Sequence, residues 1–430
     1  MRWKRALNSR IREFSDEMKS ESIHPTALIF ALLFLSIGHS ALAAAVNPQE
    51  EWNLTFGGQW GDGAWCLQET EDGGNILAGN TASRGEGSDL FLIKTDEAGN
   101  CTWSRTLGGS GEDVGYYVEE TEDGGFIVTG STDSYSMGDE LLWLVKTDRN
   151  GSLTWERTFG GFVSSSGDGG WSVQETGDGG HIVTGYTQSL GNGRKDLWLI
   201  KTDGDGRPIW DRTFGGREDD VGMSVQNSPD GGYIVAGRTA SFGNGEDDIW
   251  LLKTDSNGGE IWNVTFGGKK DDAAFQVVVL ASGYVLVSRT DSGKDDEKIK
   301  LIRVDPNGKK IWERSYRGSS AASLQSAEDG GFIIAGRVDN KETGRDALII
   351  KTNSIGIMEW SITFGGSSDD IGTFAIQRRD GSFMMAGITS SFGQGREDAW
   401  LVKIRAEPSR DESETPLLNR TFSFPMRKNF

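Results

Sequence analysis

The sequence predicts an all-β fold, a seven-bladed β-propeller, and three observations predict it. The phrase Trp-x-x-Thr-Phe-Gly-Gly, or a close variant, occurs seven times, with tryptophans at Trp52, Trp103, Trp155, Trp210, Trp262, Trp312 and Trp360, 48 to 55 residues apart. A fixed period of this length marks repeated units that stack because none can bury its apolar face alone. Each unit reads as four short strands, the content of one propeller blade. Finally, the strand count at the two ends closes a ring. Strands one to three of a blade occur seven times, but the first copy of the fourth strand precedes any blade, and the last third strand, 399–404, has no fourth strand after it. The strand at 51–56 is therefore expected to complete the blade at 369–404.

Residues 169–216 show how one unit is read. Gly170 to Thr176 is a first strand, and Asp178-Gly179-Gly180 supplies the positive φ of a hairpin turn. His181 to Thr187 is a second strand, followed by a loop at 189–195. Asp196 to Thr202 is apolar on both faces and reads as a strand buried on both. After the turn Asp203-Gly-Asp-Gly206 comes the fourth strand, Pro208 to Phe214, closed by Gly215-Gly216. In the third strands Phe91, Trp143, Trp198, Trp250 and Trp400 share one position. Lys94, Lys146, Lys201, Lys253, Lys351 and Lys403, with Arg303 in blade five, share the position three residues later and are expected at the rim, each beside a carboxylate. The many glycines recur at fixed offsets beside strand residues, which is turn chemistry and not the composition of a disordered chain.

Three segments are expected: a signal peptide or membrane anchor at 1–45, the propeller at 46–404, and a disordered tail at 405–430. The first carries Arg2, Lys4, Arg5, Arg10, Arg12 and Lys19, then an apolar run at 27–37, then Ala41-Leu-Ala-Ala-Ala45. A basic flank, a short apolar core and an Ala-x-Ala site make a secretory signal, cleaved after Ala43 or Ala45. If it is left uncleaved, the 21 residues of 26–46 are long enough to span a membrane, and this is the chain's one route to membrane attachment. Either way the repeats are expected outside the cytoplasm, extracellular or at the cell surface. Asn53, Asn100, Asn150, Asn263 and Asn419 lie in Asn-x-Ser/Thr sequons. The tail is charged and Pro-punctuated from Glu407 to Pro416.

The net charge of −20 excludes a nucleic-acid partner, since such a chain repels phosphate backbones. Cys66 falls on the innermost strand of the first blade and Cys101 at the start of its outermost strand. Three strand spacings put them roughly 14 Å apart, too far for a disulfide, so two free thiols are expected.

Residues 230–268 read Asp230-Gly-Gly-Tyr-Ile-Val-Ala-Gly, then Asp248-Ile-Trp-Leu-Leu-Lys-Thr-Asp, then Trp262-Asn-Val-Thr-Phe-Gly-Gly. This resembles the glycine-rich β-propeller repeats of secreted and surface-attached bacterial and archaeal proteins, over about 50–404. The resemblance implies fold and location and almost no chemistry. Asp305-Pro-Asn-Gly-Lys-Lys-Ile-Trp312 is similar to the repeats of pyrroloquinoline-quinone propellers, in which the tryptophan docks between blades. The quinone enzymes also carry adjacent cysteines, which this chain lacks, so the likeness implies a scaffold of that make.

The candidate site residues are acidic. Asp113, Asp219 with Asp220, Asp271 with Asp272, and Asp369 with Asp370 precede first strands, and Asp247-Asp248 and Glu397-Asp398 precede third strands. Both loop sets open on one face of the ring. One reading is a ligand face that takes Ca²⁺ through several oxygens; the other is that these carboxylates accept loop amide bonds. The inner-strand aromatics Trp65, Tyr116, Trp171, Phe275 and Phe374 either stack on sugars at the channel mouth or pack between blades. His181 aligns with Asn75, Phe126, Tyr233, Tyr284, Phe332 and Ser382, so it is not expected to be a general base. No cofactor, zinc cluster or Ser-His-Asp set is read. Blades five and six depart from the repeat, with Lys300 at the aromatic position, Ser315-Tyr-Arg-Gly318 for Thr-Phe-Gly-Gly, and Ser319-Ser-Ala-Ala322 where other blades have acid. The expected role is a monomeric, exported, non-enzymatic binding or scaffold protein with an envelope protein or glycan as partner. The alternatives are a calcium- or carbohydrate-binding lectin-like propeller and an extracellular hydrolase or lyase using carboxylates.

Overall fold

A computed structural model describes residues 46–408, apart from 86, 137–138, 162–166 and 292–297. The expected signal segment at 1–45 and sequon Asn419 lie outside these residues, as does all but the first part of the expected tail. Residues 46–407 form one compact unit. Among the described residues there are seven four-stranded sheets, each antiparallel and meandering in sequence order, and the seventh takes its outer strand from the N-terminus. That strand runs Val46–Phe56 and pairs with Asp398–Pro408. Both reach further than the sequence suggests, so 405–408 belong to the sheet and not to the tail. Glu51 ties them together, 3.2 Å from Arg405 and 3.8 Å from Lys403.

The third strands of blades one to four are buried along their whole length, as their apolar pattern demands. The repeated tryptophan explains how blades lock to one another. It leaves the outer strand of one blade and meets the next: Trp103 packs on Phe126, Trp155 on His181, Trp210 on Tyr233 and Trp360 on Phe383. Its ring also covers a glycine turn of that blade. A Cβ on Gly206, at φ +74°, would sit 2.5 Å from the Trp155 ring, so glycine is required there by both conformation and space.

The lysines of the third strand are not at the rim. Lys201 is buried, and its Nζ donates to Asp178 of the hairpin turn and to the Thr202 carbonyl, both at 2.9 Å. Lys94, Lys146, Lys253 and Lys351 repeat the pairing with Asp72, Asp123, Asp230 and Asp329. Bonds from the Thr176 hydroxyl, Lys201 and the Gly180 amide hold the Asp178 carboxyl down at about 2 against the opposing effect of burial. A buried ammonium persists because a carboxylate and a carbonyl accept hydrogen bonds from it. Both cysteines are free, Cys66 buried and Cys101 exposed. Burial pushes the Cys66 thiol up to about 12.

Candidate functional site

Every innermost strand carries a bulge at the same place. The pairing skips Trp65, Tyr116, Trp171, Met223, Phe275, Ala322 and Thr373 in blades one to seven. A bulge residue has no partner across the ladder and is re-aimed. All seven face the central channel and line one cavity of about 390 Å³. Blades one to three contribute an aromatic arc. Tyr116 stacks on Trp171 with centroids 4.3 Å apart, and Trp65 meets Tyr116 edge-on at 6.3 Å. Trp65 is about one-third exposed, and its Nε1 donates to Asn80 Oδ1 at 2.9 Å.

These aromatics therefore face the channel and also meet one another from blade to blade, with one correction. The channel position of blade seven is Thr373. Phe374 pairs with Ala386, is buried, forms part of the cavity wall and meets Tyr117 edge-on at 6.2 Å. Trp65, Tyr116, Trp171 and Phe275 each stand three residues after the aspartate that opens their strand, as Thr373 does after Asp370, whereas Phe374 stands four after it. Sequence reasoning missed the bulges, although each second strand except that of blade five has a glycine opposite them. A Cβ on Gly79, Gly130 or Gly185 would lie 1.8 Å from a carbonyl oxygen of the facing strand. A glycine inside a strand is the signal that a bulge or close backbone approach lies opposite.

The candidate carboxylates fall into two groups. Asp113, Asp220, Asp272 and Asp370 are buried. Each opens a first strand and accepts the amide of the second glycine of the preceding Gly-Gly, or its equivalent: Gly109, Gly216, Gly268 and Gly366, at 2.7–2.8 Å. Asp113 also accepts the Thr132 and Ser134 hydroxyls, and Asp370 those of Thr389 and Ser391. They clasp the link between blades to the loop above it. Asp248 and Asp398 hold the second-to-third-strand loops by accepting two amides each. Of the other five candidates, Asp271 and Glu397 are exposed, Asp219 is half-buried, Asp247 is paired with Arg238, and Asp369 is taken by Arg345 at 2.6 Å. Among the described residues no group of three His, Cys, Asp or Glu side chains is placed to hold a metal ion.

His181 is buried, edge-on to Trp155, with Nδ1 3.4 Å from the Thr202 hydroxyl. Its counterpart in blade seven is Phe383, not Ser382, by the pairing with Gln377. Burial lowers the imidazole to about 4 from the ordinary 6.5. A histidine depressed in this way contributes stability above pH 6.5 that is lost as pH falls through 4. His181→Phe, the residue of blades two, six and seven, is therefore expected to melt like wild type at pH 7.5. At pH 4.5 it should be more stable by on the order of 2 kcal/mol. Paired melting curves at the two pH values check this, and equal melting at both would remove His181 as an acid-sensitive point.

No protein-family model matches the chain, and no curated protein is similar to it. Solved structures are similar in fold. The WD40 domain of Neurospora crassa Pan2 is 10% identical at a TM-score of 0.51, covering 85% of this chain and 97% of that one. The Dos1 propeller is 11% identical at 0.50, covering 84% and 94%. BBS1N, solved in complex with ARL6DN, is 12% identical at 0.50, covering 86% and 99%. At such identities the likeness shows the propeller fold and nothing of the ligand.

Proposed function

We propose that the chain is an exported, non-enzymatic propeller of the cell surface whose ligand is a sugar, seated in the cavity ringed by the seven bulges. One observation carries the reading: three aromatic rings from consecutive blades form an arc on an open cavity of about 390 Å³. That size suits one or two sugar rings, and an aromatic face packs on the C–H face of a sugar while its rim leaves hydroxyls free to bond. Export is supported by the basic, apolar and Ala-x-Ala order of residues 1–45. The absence of catalysis is supported by His181 being spent on packing and by the buried aspartates being spent on loop amides.

A glycan array probed with wild type and Trp171→Ala tests the reading. Wild type is expected to be retained on a subset of glycans and to leave them intact. Trp171→Ala should lose at least tenfold in affinity while its melting temperature changes by a few degrees, because the ring borders a cavity and fills no core. Retention on no glycan, or equal retention by the variant, would sink it.

A further inference from the structure

The mouth is chemically two-sided. The second-strand residue paired two places before each bulge residue, next after the residue that faces the bulge, is Asn80, Ser131 and Tyr186 in blades one to three. In blades four to six it is Arg238, Arg289 and Arg337. In a seven-blade ring, blades five and six stand across the channel from blades one to three. Arg289 and Arg337 both line the cavity whose far wall is the aromatic arc.

The three arginines are not equivalent. Arg238 is engaged by Asp247, and Arg289 by Asp291 at 2.7 Å. The neighbouring Arg345 is held by Asp369 through Nε at 3.0 Å and Nη2 at 2.6 Å. The Arg337 guanidinium has no hydrogen bond or ion pair among the described residues, and its Nε is buried without an acceptor. The residue itself lines the cavity. Burial, and then the cations Arg345 and Arg289, pull its guanidinium below the usual range, with Asp339 and Asp369 acting in the opposite sense. In a chain of net charge −20, a half-buried guanidinium with no carboxylate of its own is an isolated demand for an anion.

Resting on the sugar-binding reading, we infer that the ligand is an acidic sugar, a uronate whose ring lies on the Trp171 and Tyr116 side and whose carboxylate is taken by Arg337, with Arg289 beside it. A planar guanidinium fork matches a carboxylate with two parallel N–H···O bonds, which gives orientation as well as affinity. The aromatic arc alone would accept a neutral ring equally well. Arg337 supplies the discrimination, and Arg289, already half neutralised by Asp291, contributes less.

The experiment uses the full chain and reads quenching of its tryptophan fluorescence. The probes are glucuronate and galacturonate oligomers, each compared with its methyl ester, which keeps the ring and removes the charge. At least one acid form is expected to bind about tenfold or more tightly than its ester. Arg337→Gln should erase that ratio and leave ester binding unchanged, whereas Trp171→Ala should weaken both. Equal binding of acid and ester by wild type, a comparison that needs no variant, would overturn the uronate assignment and leave the sugar seat standing. A ratio that survives in Arg337→Gln would overturn the role of Arg337. No response to either form, joined to an empty glycan array, would overturn the seat and the inference together.

Discussion

Gly185→Ala is expected to leave blade three unable to form, with no soluble protein or a melting temperature lowered by 10 °C or more. The added methyl would lie 1.8 Å from the Gly169 carbonyl oxygen, 2.8 Å from its carbon and 2.9 Å from the Gly170 Cα. All three are backbone atoms of the paired strand, so no side chain can swing aside. Relief requires the strands to part where Trp171 bulges into the channel, and parting them breaks ladder bonds in a strand buried on both sides. The penalty is about 4 kcal/mol or more, at the diagnostic end of single substitutions. Gly177→Ala is the matched control, because nothing lies within 4 Å of its added carbon. It should stay within about 0.5 kcal/mol of wild type by thermal melting. If Gly185→Ala melts with the control, the close approach of the two strands is not what fixes the bulge.

Asp370→Ala is expected to cost about 3 kcal/mol. The carboxylate accepts from the Gly366 amide at 2.8 Å, the Thr389 hydroxyl at 2.5 Å and the Ser391 hydroxyl at 2.6 Å. Removing it leaves the Gly366 amide and the Thr389 hydroxyl without an acceptor and the Ser391 hydroxyl with only the Ser368 carbonyl at 3.3 Å, and each charge-assisted bond is worth roughly 1.5–3 kcal/mol, less than additively when they share one acceptor. Asp370→Asn keeps one acceptor oxygen and should cost about 1 kcal/mol. Denaturant melts with and without calcium separate the two readings of this carboxylate. A loss of stability independent of calcium fits the clasp. Wild-type melting combined with a lost calcium response would make Asp370 a ligand and restore the acidic face.

Much of the fold is legible because its signals are local. Thr-Phe-Gly-Gly, Asp-Gly-Gly and a third strand apolar on both faces each report their own geometry, and their order reports the ring. The site is less legible because its signals are paired. That Asp370 is a clasp depends on Thr389 and Ser391, 19 and 21 residues away, which a hairpin register brings above it. The bulge hides in the same way. Nothing in the run of the chain marks the residue that the ladder skips, and without the bulge the aromatic arc reads as core. Trp65, Tyr116 and Trp171 were visible as aromatics on inner strands, but their orientation was not. Arg337 gives no sign in the sequence, since lacking a partner is a property of its surroundings and not of its neighbours in the chain.

The outer strand of the seventh blade comes from the opposite end of the chain, and this sets the order in which the ring can assemble. Asn53 accepts from Trp400 at 3.5 Å across 347 residues, and Thr373 donates to the Ala64 carbonyl at 2.7 Å across 309. Six blades can form from contacts within about fifty residues, which are quick to find. The seventh needs both ends, and its loop-closure entropy is met only when the rest of the ring already holds those ends near each other. Closure is thus the late, slow event of folding. Until it occurs, Val46–Phe56 has no partner strand and Asp398–Pro408 presents an open edge, the condition under which a second copy could supply the missing strand. Refolding yield is for this reason expected to fall as chain concentration rises, with dilute chains closing on themselves.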